Sequence, residues 1–242
     1  MSPAPTCSHQ EQEDRILDAA ATCIENSSLL DFTMSAISKE SGFSMGSIYK
    51  HIQTKEDVLV ALAYRVYCNL FDVFSAIDSL PLTTPQRLVA AKLFCKEKVC
   101  LYEFDGHLEN LVNSKAVLQR ASAHWLEKMI RMDKSIEDLF ATIIRNGCNS
   151  GELIVELECQ ESLVEEINVG LWSLCVGFNQ VVVQLDARNA IGEGTDLSLM
   201  VGPGSPIIKN VQRLVNSYPW KEPVTDFDIQ MICDVLEARG LR

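Results

Sequence analysis

The sequence predicts an all-α protein, with an N-terminal three-helix domain that carries a helix-turn-helix and a larger helical domain after it. Three observations support this fold class. Apolar residues recur at helical spacing along most of the 242 residues. No alternating strand pattern of useful length occurs. A segment between residues 32 and 55 breaks into two short helices around a glycine.

The first helix is predicted from Glu11, because Ile16, Leu17, Ala20 and Ile24 form one apolar face. Residues 1–10 contain two prolines and small polar side chains, which predicts a flexible arm.

The next segment contains cap residues at regular intervals. Thr33 is a good N-cap for a two-turn helix, and Gly42 suits the left-handed residue that ends it. Ser44 can cap a second short helix that runs through Tyr49. Thr54 begins a T-x-x-D sequence and is the predicted N-cap of a long helix.

We expect further helices along the rest of the chain, and a long loop at residues 189–206, which are rich in glycine and proline. The helix at 161–188 is apolar nearly all round between Val169 and Leu185, so it needs cover on two sides, from its own core and from a second copy. The predicted helices cover residues 84–102, 107–117, 121–146, 161–188, 207–218 and 226–239.

Composition limits the class of protein. A net charge of −12 argues against a protein that coats nucleic acid nonspecifically, although a specific DNA reader needs only one basic face. No secretory signal and no run of about eighteen apolar residues is found, which predicts a cytoplasmic protein without a membrane segment. The nine cysteines are irregularly spaced, which favours reduced thiols, mostly packed as small hydrophobes.

No catalytic or cofactor site is predicted. The four histidines show no metal-ligand spacing with another histidine or a cysteine pair, so we expect no metal and no cofactor. The chain also lacks a nucleophile elbow and a phosphate loop, so we do not expect an enzyme.

Two short helices around a tight turn, flanked by a helix on each side, make a helix-turn-helix, whose second helix can enter the major groove of DNA. The N-terminal region closely resembles the TetR family of bacterial transcriptional regulators. The resemblance rests on the runs Arg15–Ala20, Phe32–Thr33, Ser41–Ile52 and Lys55–Leu59, together with Ile37. It implies a homodimeric regulator, usually a repressor, with DNA-reading helices in residues 11–53 and a ligand-binding and dimerisation domain in residues 54–242.

Carried over position by position, the resemblance implies a DNA-binding surface on the helix-turn-helix. Thr33 and Tyr49 would contact phosphates, and Lys55 would pair with another. The start of the second helix would face the groove, and its end would touch backbone or base edges. The groove-facing residues are Ser44, Met45, Gly46 and Ser47, and those at the end are Lys50 and His51.

Charge in the N-terminal region raises an alternative. Residues 1–60 hold four basic and nine acidic residues, whereas residues 33–55 hold three basic and one acidic. The reading face is therefore mildly positive, and few phosphate contacts with a shallow salt dependence are expected. The alternative is a helical protein-interaction module with a degenerate helix-turn-helix.

For a small-molecule effector, the sequence suggests aromatic, sulfur and amide side chains on inward faces of the C-terminal helices, and an apolar or amphipathic ligand. Such a ligand would shift the helix at 54–77 and change the spacing of the two recognition helices on a palindromic operator in double-stranded DNA. The candidates are Phe94, Tyr102, Trp125, Met129, Trp172, Cys175, Phe178 and Asn179.

Overall fold

The computed structural model describes residues 8–192 and 201–242. Within these ranges the chain is all-helical, and its one extended pairing is an isolated bridge between Leu153 and Trp220. The helices are α1 (His9–Glu25), α2 (Met34–Ser41), α3 (Met45–Ile48), α4 (Lys55–Asp78), α5 (Thr84–Leu93), α6 (Lys96–Val99), α7 (Asp105–Val112), α8 (Lys115–Leu118), α9 (Ala123–Asn149), α10 (Gln160–Ala190), α11 (Pro206–Asn216) and α12 (Asp226–Ala238), with a 3-10 turn at Leu157–Cys159.

The first helix begins two residues before its predicted start. Ser8 caps it, because its hydroxyl accepts the Glu11 N–H at 3.2 Å and the Glu11 carboxylate accepts the Ser8 N–H at 2.6 Å. This reciprocal pair satisfies two donors that a helix end leaves free. The predicted arm is therefore wrong for residues 8–10, and residues 1–7 lie outside the described part of the chain.

The helix predicted over residues 84–102 is broken after Leu93. Phe94 adopts an extended conformation, and the N–H of Cys95 donates to the carbonyl of Leu241 at 2.8 Å instead of continuing the helical ladder. The partner that ends the helix thus lies far along the chain. The segment predicted as one helix over 107–117 also forms two, α7 and α8, separated at Asn113 and Ser114.

The chain divides into two compact units. Unit 1 comprises residues 1–68 and 101–132, and unit 2 comprises residues 69–100 and 133–242. The grouping by packing differs from the functional division proposed at residues 53 and 54, because unit 1 includes part of α4, all of α7 and α8, and the start of α9.

Unit 1 is built around α1, which packs on α2, while α2 packs on α3. Ile16, Ile37 and Ile48, one from each of these helices, are completely buried. Arg65 of α4 holds α1 by ion pairs to Asp14 at 2.9 Å and to Asp18 at 2.6 Å.

Unit 2 packs α5 against α11 and α12, and α10 against α11. Its core contains Leu93, Ile144, Ile208, Ile232 and Leu236, all shielded from solvent. The predicted N-cap Thr225 is confirmed, since its hydroxyl accepts the Asp228 N–H at 3.2 Å.

Among the described residues, two helical segments, α4 and residues 157–190, are long and apolar enough to cross a membrane by length and composition alone. Half of the apolar window of α4 is buried in the protein, as in a core helix, whereas only 6% of the second window is buried. Within α10 only Val164 and Ile167 are buried. The predicted two-sided cover of this helix is therefore not supplied by the described part of one chain.

Candidate DNA-binding interface

The turn between α2 and α3 has the geometry that its sequence predicts. The Thr33 hydroxyl accepts the Ala36 N–H at 3.0 Å, which caps α2. Gly42 ends the helix with a φ of 73°, a left-handed conformation that glycine adopts at low cost. Arg15 supports the turn from α1, because its guanidinium lies 4.8 Å from the Phe43 ring centroid and donates to the Ser41 carbonyl at 3.3 Å.

The second helix, α3, is only four residues long and is fixed at both ends. The Ser44 hydroxyl accepts the Ser47 N–H at 3.2 Å. At the other end, the N–H of Tyr49 donates to the Met45 carbonyl at 3.0 Å, and Ile48 is fully buried beneath. The helix therefore ends one residue earlier than predicted, with Tyr49 as its C-cap.

Most of the nine predicted DNA-binding residues lie at the surface of this helix pair. Tyr49 is 46% exposed despite its aromatic ring. A phenol at the surface is placed to donate to a phosphate, and small side chains on α3 allow a close approach of the backbone. The exposed residues are Thr33, Ser44, Gly46, Tyr49 and Lys50, and the half-buried ones are Met45, Ser47 and Lys55.

Lys55 sits at the first residue of α4. Its ammonium group donates to the carbonyl of Leu30 at 2.9 Å and lies 4.5 Å from the centroid of the Phe32 ring. The charge thus packs on the loop before Thr33, where it adds positive potential beside a predicted phosphate contact.

His51 differs from the other predicted DNA-binding residues in being buried. Its side chain is only 8% exposed and lies beside α1, with Nε2 3.4 Å from the Gln12 side-chain oxygen. Burial lowers the pKa of His51, and the neighbouring charge of His9 lowers it further. The imidazole is therefore not part of the exposed surface of the helix pair, and the DNA contact of His51 stays a prediction.

The start of α4 is bonded to the residue that precedes α9, within unit 1. Asp57 is completely buried and accepts the N–H groups of Gln53 at 3.0 Å, Thr54 at 3.2 Å and Ser122 at 2.6 Å. The predicted cap is present too, since the Thr54 hydroxyl accepts the Asp57 N–H at 2.9 Å. These bonds satisfy a carboxylate that burial alone would make costly.

The eight predicted ligand-binding residues are divided between the units. Tyr102, Trp125 and Met129 belong to unit 1, and the other five belong to unit 2. Trp125 is 1% exposed, and its indole N–H donates to the His51 carbonyl at 3.0 Å, so it already has a structural role in unit 1. The Tyr102 hydroxyl accepts a hydrogen bond from the Arg65 guanidinium at 3.5 Å.

In unit 2, Lys92 lies near three of the ligand-binding candidates. The Lys92 ammonium lies 5.1 Å from the Phe178 ring centroid and 3.5 Å from the Asn179 side-chain oxygen. Burial raises the pKa of the Cys175 thiol, while the nearby charge of Lys92 lowers it in part. Nothing in the sequence distinguishes Lys92, because a lysine in an amphipathic helix is usually a surface residue.

The remaining two candidates in unit 2 lie in different surroundings. Phe94 packs edge-on to Phe74, with ring centroids 5.8 Å apart, and Phe74 packs likewise on Phe140. Trp172 is 54% exposed, so the prediction that it faces inward is wrong for the single chain.

Comparison with known proteins agrees with this geometry. Residues 16–62 match the family model of the bacterial regulatory proteins of the tetR family. The matched range begins in α1 and ends in α4, so it includes the whole helix-turn-helix. The N-terminal domain is that of a TetR-family regulator. No curated protein matches the chain by sequence.

The part of the chain that the structure describes has the TetR-family regulator fold. The transcriptional regulator FadR from Bacillus subtilis, solved in complex with stearoyl-CoA, is similar with a TM-score of 0.53 and 16% identity, over 84% of this chain and 95% of that one. A tetR-family regulatory protein from Rhodococcus RHA1 is similar with a TM-score of 0.55 and 16% identity, over 87% and 98% of the chains. The superantigen PfiT is similar with a TM-score of 0.56 and 13% identity, over 89% and 100%. At these identities the similarity concerns the fold.

Proposed function

We propose that the protein is a sequence-specific DNA-binding transcriptional regulator of the cytoplasm, which represses from a palindromic operator and is released by a small amphipathic ligand. The observation that carries the proposal is α3, a capped helix whose exposed side is formed by small polar residues and followed by Tyr49 and Lys50. A helix of this kind suits the major groove, because its backbone can come close to the base edges.

Phosphate contacts would position α3 on the duplex. The N-terminus of α2, capped by Thr33, presents N–H groups at the surface, and helix N-termini favour anions. Tyr49 and Lys50 provide a hydroxyl and an ammonium group at the other end of the helix pair. Few basic side chains take part, so the affinity should depend only modestly on salt.

A homodimer is supported by the exposed apolar side chains of α10. Val169, Trp172, Val176 and Val181 are each about half exposed. An apolar surface of this kind on one helix is typical of a protein interface. A second copy of the same helix would cover it in a two-fold arrangement, and two-fold symmetry matches a palindrome with half-sites about 34 Å apart.

The ligand proposal rests on Lys92 in unit 2. Its half-buried ammonium group, next to Phe178, Asn179 and Cys175, combines a positive charge with an apolar ring and an amide. This combination suits an amphipathic molecule with an anionic group. The complex of the similar FadR with stearoyl-CoA, an amphipathic molecule, is consistent with such a ligand.

Ligand and DNA binding would be coupled through α4 and α9, which each have residues in both units. Within unit 1 the start of α4 is bonded to Ser122 through Asp57, and Trp125 of α9 is bonded to the carbonyl of His51 just after α3. A ligand that prefers one arrangement of these helices would change the operator affinity by the ratio of its two affinities.

The test is a selection of short duplexes from a random pool with the full-length protein at two salt concentrations. Enrichment of a palindrome that is lost with Tyr49→Ala and Lys50→Ala together, but retained with the exposed control Lys134→Ala, is the expected result. No enrichment at low salt, together with a stable protein partner in pull-downs, would instead favour a helical interaction module.

A further inference from the structure

Two histidines and a glutamate meet at the junction of α1 and the segment that follows α3. The ligand atoms of His9, Glu13 and His51 all lie within 4.8 Å of one another. The centroids of the two imidazole rings are 4.1 Å apart, and their planes are tilted by 46°. The cluster belongs entirely to unit 1 and uses no exposed residue of the proposed DNA-reading surface.

The sequence explains how two of these side chains come together. His9 and Glu13 are four residues apart in α1, so they lie on the same face, one turn apart. His51 approaches from the short segment between α3 and α4, because Ile48 and Ile52 on either side are fully buried in unit 1. A pair at helical spacing with a third ligand from a distant segment is a common arrangement for a bound metal ion.

A second, independent observation is an unsatisfied nitrogen on one member of the cluster. The side chain of His51 is more than nine-tenths buried, and its Nδ1 atom has no hydrogen-bond partner among the residues that the structure describes. Its other nitrogen, Nε2, faces the Gln12 side-chain oxygen at 3.4 Å. A buried imidazole normally satisfies both nitrogens, so one of them here is missing a partner.

We propose that His9, Glu13 and His51 form a binding site for a divalent first-row transition metal ion such as Zn²⁺. Two imidazoles and one carboxylate are one of the ligand sets that Zn²⁺ takes in three-residue sites, with water completing the coordination. Mg²⁺ and Ca²⁺ are not expected, because they prefer oxygen ligands. Metal–ligand distances near 2 Å require the three side chains to move closer together, which exposed His9 permits.

Lys128 is the competitor for the carboxylate. Its ammonium lies 3.2 Å from Oε1 of Glu13 and 4.3 Å from the Trp125 ring centroid. The aromatic ring offers the ammonium group an alternative partner when a metal ion takes the carboxylate. Lys128 also holds Glu13, which is only 5% exposed, in place in the absence of metal.

Metal binding at this place would join α1 directly to the end of the recognition segment. His51 follows Tyr49 and Lys50 by one or two residues, so an ion on its ring restrains the backbone that carries both. An ion that binds only the folded state also stabilises unit 1 by mass action. The site is independent of the proposed effector region around Lys92, and it does not depend on DNA binding.

The test is a titration of the untagged full-length protein with Co²⁺ alone, followed by absorption spectroscopy, and with Zn²⁺ by calorimetry. We expect one ion per chain at this site, with visible Co²⁺ bands and without the near-ultraviolet bands of thiolate ligands. His9→Ala, chosen because His9 is exposed, should lower the affinity at least about tenfold, and Glu13→Gln should act likewise.

The matched control is His124→Ala, which removes another exposed histidine of unit 1 and should leave the titration unchanged. Circular dichroism of each variant separates loss of metal from loss of folding. The proposal is overturned if folded His9→Ala binds Co²⁺ as the wild-type protein does, if the bound ion shows thiolate bands, or if neither ion binds.

Discussion

The short helix α3 and the long helix α10 are stabilised in different ways. Helix α3 has four residues and α10 has thirty-one, yet the shorter helix finds all its stabilising contacts within its own chain. Caps at both ends and the buried Ile48 fix α3. In α10 only Val164 and Ile167 are buried. Local hydrogen bonds and one apolar anchor can fix a short helix, whereas a long apolar helix needs another surface.

The two helices also expose different chemistry. The exposed side of α3 carries small polar groups, and a lysine follows the end of this helix. Helix α10 instead exposes Trp172 and several valines. The first composition suits the polar edges of base pairs, and the second suits a protein surface that excludes water.

The largest effect is expected from Trp172→Glu, a charge placed on the exposed apolar face of α10. An unpaired carboxylate at a dimer interface costs about 3 kcal/mol, so the dimer dissociation constant should rise about 100-fold. Sedimentation equilibrium measures this change. Thr142→Glu, at an exposed position of α9, is the control and should leave the dimer intact. If the wild-type protein is a monomer at every concentration, the proposed role of α10 is wrong.

Asp57→Ala should lower the free energy of unfolding by about 3 kcal/mol, because three backbone N–H groups lose their buried acceptor. Urea denaturation gives the value. Asp72→Ala, at an exposed position of the same helix, should change stability by less than about 0.5 kcal/mol. Equal losses in the two variants would show that the cap at the start of α4 contributes little.

Two glycines separate folding from recognition. Gly42→Ala should destabilise the protein by about 1.5 kcal/mol, because φ is 73° at this position. Gly46→Ala meets no close atom and should leave stability unchanged or slightly raised, since alanine favours helix. Its methyl group should nevertheless lower operator affinity about tenfold, as one lost base contact does. Thermal unfolding measures the effect on stability, and a DNA-binding titration measures the effect on operator affinity. If Gly46→Ala binds the operator as tightly as the wild-type protein, Gly46 does not face the groove.

The smallest effect is expected from Lys50→Ala, at an exposed position just after α3. Loss of one phosphate contact should weaken binding to all duplexes by a similar factor and reduce the slope of log affinity against log salt by about one. Titrations at several salt concentrations provide the slope. A change confined to one base position would instead make Lys50 a base-reading residue.

Much of the reading domain could be predicted from sequence because its determinants are local. Thr33, Gly42, Ser44 and Thr54 each act on backbone groups within four residues, and the structure places all four as predicted. Predictions of helix boundaries failed where a residue distant in sequence forms the hydrogen bond that ends the helix. The break after Leu93 depends on Leu241, a partner that local periodicity does not reveal.

The same distinction applies to the sites. The spacing of histidines and cysteines along the chain does not indicate this metal site, since the third member of the cluster, His51, lies thirty-eight positions beyond Glu13. The ligand candidates predicted from sequence are aromatic, sulfur and amide side chains on inward faces, and they fall into two different units. Lys92 is assigned to the candidate ligand region only because its ammonium group lies near the Phe178 ring in the folded chain.

The all-helical class and the capped helix-turn-helix follow from local sequence, because capping and periodicity act over one or two turns. Solvent exposure and the contacts between distant segments depend on tertiary packing instead. In the folded chain His51 is buried beside His9, whereas Trp172 is exposed. The spacing of apolar residues does not predict this difference in burial between His51 and Trp172. The physical reason is that burial depends on what packs against each helix face, and packing partners come from anywhere in the chain.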